Sequence, residues 1–141
     1  MSAIDKKICF MLYASSRLII GKYQPLLKKH NLTYLQYLIL ELLWENPMIS
    51  MDSLCQTLFL DSGTLSPVLK KMEKREFLSR TREINDERRV NIIITDKGNN
   101  IQKHAKDITE CIIRHIDINE DEQKNIIELL KKLTHNLIKE N

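Results

Sequence analysis

The sequence predicts a mainly helical fold with a small β hairpin (α+β), and three observations support this prediction. Apolar residues recur at helical spacing over most of the 141 residues. Between residues 78 and 95 the period changes to the alternation that is typical of strands. The chain has three glycines and three prolines, with 29% charged and 43% hydrophobic residues, which is ordinary for a largely helical protein.

The first part of the chain is predicted to form two helices. Apolar residues at helical spacing run from Ile4 to about Gly21. We expect Pro25 to interrupt this helix, which then continues to a turn near Asn31. Thr33 can cap the second helix, TYLQYLILELLWEN, whose apolar residues cover most of its circumference. Such a helix is either buried or part of an interface.

The middle of the chain is predicted to hold a short extended piece and two more helices. The piece is MIS, and Ser50 then begins the short helix MDSLCQTLF. The next helix lies in DSGTLSPVLKKMEKREF, with Asp61 or Ser62 as its N-cap. Pro67 lacks an amide hydrogen, so it must lie in the first turn of this helix or bend it.

The remaining elements are a hairpin and two helices. LSRTREI and RVNIIIT alternate like strands, and NDER between them favours a turn. Thr95 can cap a long helix that runs from Asp96 to about His115. Asn119, with Glu122 three residues later, can form a capping box for the last helix. The apolar stripe of that helix consists of Ile126, Ile127, Leu130, Leu133, Leu137 and Ile138.

Length and composition limit the classes of protein. The chain is long enough for one domain with a real core. No signal sequence and no apolar run of membrane-spanning length is present, so we expect a cytoplasmic protein that binds no membrane. The three cysteines are too widely spaced for a disulfide framework or a zinc motif, and we expect neither a metal nor a cofactor. The net charge of +3 is small, so binding to nucleic acid must be inferred from where the charges lie.

Two short helices followed by a hairpin is the order of a winged helix-turn-helix. Small polar side chains at the start of DSGTLSPVLKK can approach bases and phosphates in the major groove of DNA. Arginines near the tip of a hairpin can enter the minor groove. The alternative is that these charges only solvate a surface. The candidate DNA contacts are Ser62, Gly63, Thr64, Ser66, Pro67, Lys70 and Lys71 in the helix, and Arg80, Arg82, Arg88 and Arg89 in the hairpin.

The segment LDSGTLSPVLKKMEKREFLSRTREINDERRVNIIITDKG closely resembles the DNA-binding core of the MarR family of bacterial repressors. The likeness extends over nearly the whole chain, and it is greatest to the organic-hydroperoxide-sensing (OhrR-type) branch and its staphylococcal redox-regulator relatives. It implies one MarR-type domain, 1–141, with a winged core at 33–95 and dimerisation helices at 1–32 and 96–141. It further implies a homodimer that binds a pseudo-palindromic operator in double-stranded DNA. In such proteins the wing aspartate, here Asp86, commonly pairs with the arginine that matches Arg88.

The same resemblance gives Cys9 a role. In the hydroperoxide-sensing branch the reactive cysteine lies in a segment similar to ICFMLYASSR. Tyrosines from elsewhere in the protein bond its thiolate, and Tyr23 and Tyr34 match them, while Tyr13 matches a further pocket tyrosine. A thiolate attacks peroxides, and the product is a sulfenic acid that can condense with a second thiol. The alternative is that Cys9 is a packing residue on an apolar helix face.

The other cysteines are predicted to differ from each other. Cys55 lies within a short helix and is expected to pack in the core. Cys111 resembles the resolving cysteine that two-cysteine relatives carry in the C-terminal helices of the opposite subunit, and the alternative is a buried interface cysteine. The sequence thus predicts a repressor that organic hydroperoxides release from DNA. The alternatives are a repressor released by a small aromatic ligand and a thiol peroxidase, although no histidine–acid pair accompanies Cys9 as a peroxidase would need.

Overall fold

The computed structural model describes residues 3–139, and this part of the chain forms seven α-helices and three β-strands. A turn of 3-10 helix, Ala3–Lys6, precedes them. The mainly helical fold with a small sheet is therefore confirmed. The elements are α1 (Ile8–Lys28), α2 (Tyr34–Glu45), β1 (Met48–Ser50), α3 (Met51–Leu58), α4 (Ser62–Lys74), β2 (Leu78–Arg82), β3 (Val90–Ile94), α5 (Asp96–Asn100), α6 (Gln102–Ile116) and α7 (Glu120–Lys139).

The three strands form one antiparallel sheet in the order β1-β3-β2. The predicted hairpin is present, with Leu78 opposite Ile94 and Arg82 opposite Val90. The segment MIS, predicted only as an extended piece, is the third strand, and its Met48 lies opposite Ile93. The central strand β3 therefore has a partner on both sides, and Ile92 in its middle is fully buried.

The core lies where α2, α3, α4 and the sheet meet. Its side chains come from the apolar faces that the helical spacing predicted for α3 and α4 and from nearly all sides of α2. Burial of each large aliphatic side chain stabilises the fold by roughly 1.5–3 kcal/mol. The fully buried residues are Tyr37, Ile39, Leu40, Leu43, Leu54, Leu65, Leu69, Met72 and Ile92.

Side-chain caps fix the starts of five helices. Thr33 and Gln36 form a complete capping box at α2, and Asn119 and Glu122 form the predicted one at α7. Ser50, Asp61 and Thr95 cap α3, α4 and α5, so Asp61 rather than Ser62 is the cap of α4. Each cap satisfies an amide that has no partner within its helix.

The structure decides where the prolines of two helices lie. The expected interruption at Pro25 is wrong, because α1 continues through it; Pro67 lies in the second turn of α4, which excludes the first-turn alternative. Each proline removes one backbone hydrogen bond and displaces the carbonyl four residues earlier. That earlier residue is Gly21 in α1 and Gly63 in α4, and glycine accommodates such a displacement more easily than any other residue.

The long helix predicted from Asp96 to about His115 is divided at Ile101 into α5 and α6. Asn99 and Asn100 are weak helix formers, which favours a break here. Gly98 in α5 packs so closely on the carbonyl of Phe77 that a Cβ atom would collide with it. The indole of Trp44 donates to the Gly98 carbonyl, at 3.1 Å. These contacts hold α5 against the winged core, whereas α6 extends along α1.

The terminal helices leave much of their apolar surface exposed. None of the described residues of α7 is buried, and only Leu27 is buried in α1. The exposed side chains include Ile8, Met11, Leu18, Ile19, Ile126, Ile127, Leu130, Leu137 and Ile138. Within residues 3–139 no helix has the length and hydropathy needed to cross a membrane.

Candidate functional site

The predicted DNA-contacting residues of α4 share one surface. Ser62, Gly63 and Thr64 are exposed in its first turn, and Pro67, Lys70 and Lys71 are exposed further along, with Ser66 half-buried among them. The opposite face buries Leu65, Leu69 and Met72. The helix therefore presents small polar groups at its N-terminus and cations beyond them.

Asp61 holds the N-terminus of α4 in place. Its carboxylate accepts from the Thr64 amide at 2.8 Å and from the Thr64 hydroxyl at 3.1 Å. The hydrogen bond from the Thr64 amide is the main cause that lowers the pKa of this carboxyl. Because the Thr64 hydroxyl donates to Asp61, its lone pairs stay free to accept from a ligand.

The tip of the wing, the turn between β2 and β3, is ordered by Asp86. Its carboxylate accepts from the backbone amide of Arg88 at 3.1 Å and lies 3.7 Å from Nε of Arg89. Asp86 thus contacts Arg88 through the backbone amide of that residue, whereas its ion pair is made with the side chain of Arg89. The side chain of Arg88, like that of Arg82, is exposed and makes no ion pair with any described residue.

Arg80 does not belong with these exposed arginines. Its guanidinium binds the carboxylate of Glu73 at the end of α4, with a closest approach of 2.7 Å. Arg80 is therefore less free to reach DNA than Arg82 and Arg88, and its role as a DNA contact stays a prediction. Glu73 was missed by the sequence reasoning, because no periodicity connects a residue of a helix to one particular residue of the next strand.

Cys9 is the second residue of α1 and is exposed. The first turn of α1 contains no acidic residue, and its N-cap, Lys7, provides no side-chain acceptor. Cys9 therefore lies among the backbone amides at the positive end of the helix dipole.

Tyr23 and Tyr34 are not near Cys9 within one chain. Cys9 and Tyr23 both lie on the continuous helix α1, fourteen residues apart, which separates them by about 21 Å along the axis. Tyr34 packs on Tyr23, with ring centroids 4.7 Å apart. The cysteine and these tyrosines can therefore meet only if they come from different subunits.

The tyrosine pair is poised to donate hydrogen bonds. Burial, followed by the neighbouring Tyr34 and Glu41, raises the pKa of Tyr23 to about 12. Burial and Glu41 also raise the pKa of Tyr34. Both phenols consequently keep their protons at neutral pH, as a donor to a thiolate must.

Tyr13 is one turn from Cys9 and exposed, but its hydroxyl accepts from Nη1 of Arg17 at 3.2 Å. Arg17 lies one helical turn further towards the C-terminus of α1, so this bond directs the Tyr13 hydroxyl away from Cys9. Within one chain the Tyr13 hydroxyl therefore bonds Arg17 and not Cys9.

The two other cysteines are half-buried free thiols. Cys55 packs against the core, and burial raises the pKa of its thiol. Cys111 lies on α6, with its sulfur 4.0 Å from Nδ1 of His115. That Nδ1 is also 2.7 Å from the Cys111 carbonyl oxygen, a distance at which it must carry the hydrogen and donate.

Helices α1 and α6 lie antiparallel. His30, two residues after the end of α1, packs on His104 near the start of α6, with ring centroids 4.5 Å apart. At the other end, residues between Ser15 and Lys22 share a groove with residues between Ile112 and Ile116. This register places Cys111 at the level of Tyr23, far from Cys9 of the same chain. Between residues 3 and 139 no group of three or more potential metal ligands is arranged to hold a metal ion.

Comparison with known proteins decides the family. The family model of the transcriptional regulators SarA/Rot matches residues 22–105, which is more than half of the chain. The chain belongs to the SarA/Rot family of transcriptional regulators. This family assignment confirms the predicted class, a DNA-binding transcriptional regulator.

Relatives and solved structures agree with the family. The chain is 39% identical over 135 residues to the HTH-type transcriptional regulator SarZ of Staphylococcus haemolyticus, covering 96% of this chain and 92% of SarZ. The crystal structure of AbfR of Staphylococcus epidermidis is 35% identical, has a TM-score of 0.80, and covers 94% of this chain and 91% of AbfR. AbsC, a MarR family regulator from Streptomyces coelicolor, is 21% identical with a TM-score of 0.84, covering 97% and 96%, and it shows the shared fold.

AbfR has been solved in several chemical states. Reduced and overoxidised AbfR are each bound to DNA, and a further structure shows a disulfide form. The match to the disulfide form has a TM-score of 0.64, against 0.75 for the reduced, DNA-bound form. The chain described here therefore resembles the reduced DNA-bound form of AbfR more than its disulfide form.

Proposed function

We propose that this SarA/Rot-family protein is a cytoplasmic homodimer that represses transcription from a pseudo-palindromic operator and releases it when organic hydroperoxides oxidise Cys9. The observation that supports the redox part most strongly is the position of Cys9. It is an exposed thiol in the first turn of α1, in a chain similar to a regulator known in reduced and disulfide forms.

The proposed dimer is formed by residues 1–32 and 96–141, around the winged core at 33–95; residues 1, 2, 140 and 141 lie outside the described part. Exposed apolar side chains of α1, α6 and α7 form the interface. Apolar surface of this extent is characteristic of protein–protein contacts. A two-fold dimer also presents two copies of α4, as a pseudo-palindrome requires.

The dimer completes the thiol site. Cys9 of one subunit meets Tyr23 and Tyr34 of the other, near the level of that subunit's Cys111, and Tyr13 contributes to the same pocket. The two phenols donate to the thiolate, which stabilises it against reprotonation. Tyr23→Phe and Tyr34→Phe should each slow oxidation of Cys9, measured by stopped-flow loss of free thiol.

The chemistry proceeds in two balanced steps. The Cys9 thiolate attacks the outer peroxide oxygen, the O–O bond breaks, and a proton converts the leaving alkoxide to an alcohol, so that sulfur is oxidised to sulfenic acid. The thiol of Cys111 from the other subunit then attacks that sulfur. A disulfide forms and the hydroxyl leaves as water.

The proposed DNA surface consists of the first turn of α4, its Lys70 and Lys71, and the wing. The N-terminal residues of α4 face the bases of the major groove. The exposed side chains of Arg82 and Arg88, with Arg89 beside Asp86, lie at the wing and reach the minor groove. This assignment leaves out Arg80.

Operator release measured with chosen variants tests the proposal. Wild-type protein, Cys9→Ser and the control Cys55→Ser are titrated with fluorescent operator DNA before and after cumene hydroperoxide. We expect all three to bind when reduced, and Cys9→Ser alone to stay bound after oxidation. Full release of Cys9→Ser would overturn thiol sensing, and release by a small aromatic compound with no response to peroxide would favour a ligand-controlled repressor.

A further inference from the structure

An ion pair joins α4 to the wing. The Glu73 carboxylate accepts from Nη2 of Arg80 at 2.7 Å, from its Nε at 2.9 Å, and from its backbone amide at 2.9 Å. Both side chains are about one-third exposed, at 34% and 28%. Hydrogen bonding from the Arg80 side chain lowers the pKa of the Glu73 carboxyl, so the pair is ionised at neutral pH.

The position of this ion pair allows it to fix the angle between α4 and the wing. Glu73 is in the last turn of α4, and Arg80 is in the middle of β2, opposite the buried Ile92 of β3. The backbone between the two residues is a turn in which Glu76 has a positive φ of 62°. One carboxylate oxygen binds the guanidinium and the other binds the backbone amide of Arg80, and these bonds across the turn restrict the angle between α4 and the wing more than a single contact would.

We propose that Glu73 and Arg80 are positioning residues for operator binding, which set the wing so that its tip reaches the minor groove while α4 occupies the major groove. The proposal rests on the DNA surface described above. Neither residue contacts DNA in this arrangement. Arg80 uses three donors on Glu73, and turning it towards a phosphate would leave a carboxylate at the edge of the DNA surface without its partner.

The sign of one substitution separates positioning from simple electrostatics. Glu73→Gln removes a negative charge from the winged core. If charge alone mattered, this change would strengthen binding to a polyanion. Positioning gives the opposite sign, because an amide has one acceptor oxygen in place of two and cannot accept from both the guanidinium and the backbone amide of Arg80.

The experiment measures operator affinity by fluorescence anisotropy at several salt concentrations. We expect Glu73→Gln and Arg80→Gln each to weaken binding by roughly tenfold while the salt slope changes by less than about 0.3. Arg80→Lys should fall between wild type and Arg80→Gln, because an ammonium keeps the charge but cannot form the fork. The matched control is Glu110→Gln, which removes an exposed ion pair with Lys106 from α6 and should bind like wild type.

A coupling measurement excludes a merely structural role. In the wild type, Arg88→Ala should weaken operator binding by about tenfold, through a lost contact at the wing tip. In the Glu73→Gln variant the same change should weaken operator binding by less than about threefold, because the wing of that variant is already misplaced. Thermal melts confirm that each variant is folded at the assay temperature, and Glu73→Asp replaces any variant that is not.

Three results would overturn the proposal. The first is that Glu73→Gln binds the operator as well as the wild type or better. The second is that Arg88→Ala weakens operator binding as much in the Glu73→Gln variant as in the wild type. A drop of about one unit in the salt slope of Arg80→Gln alone would make Arg80 a phosphate contact. By contrast, a wild type insensitive to both Arg88→Ala and Lys70→Ala would refute the DNA surface itself.

Discussion

Oxidation should join Cys9 to Cys111 of the other subunit, because the two residues cannot meet within one chain. The packing of His30 on His104 and the groove shared by α1 and α6 place Cys111 opposite Tyr23. Cys9 is fourteen residues earlier on the same helix, about 21 Å away along its axis. A disulfide requires Cα atoms within about 7 Å. The shortfall of about 14 Å equals about nine residues of α1, so an intrachain bridge would need much of this helix to unwind.

Subunit mixing tests this separation. Cys9→Ser and Cys111→Ser, carrying different tags, are combined by co-expression, so that a mixed dimer holds one Cys9 and one Cys111 on opposite subunits. After hydroperoxide treatment, neither variant alone should form the Cys9–Cys111 disulfide. The mixed sample should form it as a covalent dimer, in at most about half of the protein if subunits assort at random.

Non-reducing electrophoresis with mass spectrometry of the linked peptides reads the outcome. Cys55 packs against the core, so adding Cys55→Ser to both variants should leave the yield unchanged. Oxidised wild type that runs as a monomer with an internal disulfide, together with a mixed sample that does not cross-link, would refute both the register of α1 on α6 and the shared thiol site.

Three further predictions concern stability and assembly. Gly98→Ala should destabilise the protein by about 2 kcal/mol in urea melts, because the clash with the Phe77 carbonyl outweighs the gain in helix propensity; a gain in stability would contradict this close contact. Burial, followed by the neighbouring His104, lowers the pKa of His30 below its usual 6.5. The unfolded state therefore binds more protons, and the free energy of unfolding should fall as the pH drops through about 6.5. His30→Gln should reduce that fall, whereas an unchanged pH profile of stability would contradict it. Leu130→Lys, on the exposed stripe of α7, should shift sedimentation towards monomer, and an unchanged dimer would place the interface elsewhere.

Features decided by neighbours in the chain could be predicted from the sequence. The capping boxes of Thr33 with Gln36 and of Asn119 with Glu122 form between residues three apart, so the sequence alone specifies them. The hairpin and the inner face of α4 follow from residue alternation and helical spacing in the same way. The exposed polar face of α4 was predicted because a helix whose apolar face is buried must show its polar face to solvent.

Contacts between distant residues were decided by the tertiary structure. Trp44 binds the carbonyl of Gly98, 54 positions away, and β1 joins a sheet whose other strands begin 28 residues after β1 ends. Periodicity shows which side of an element is buried but not what lies against it. That is why Glu73 and its ion pair with Arg80 were missed. The separation of Cys9 from the tyrosines has the same origin. The residue types at these positions could be read from the sequence, but the unbroken α1 and its antiparallel register on α6 are set by packing.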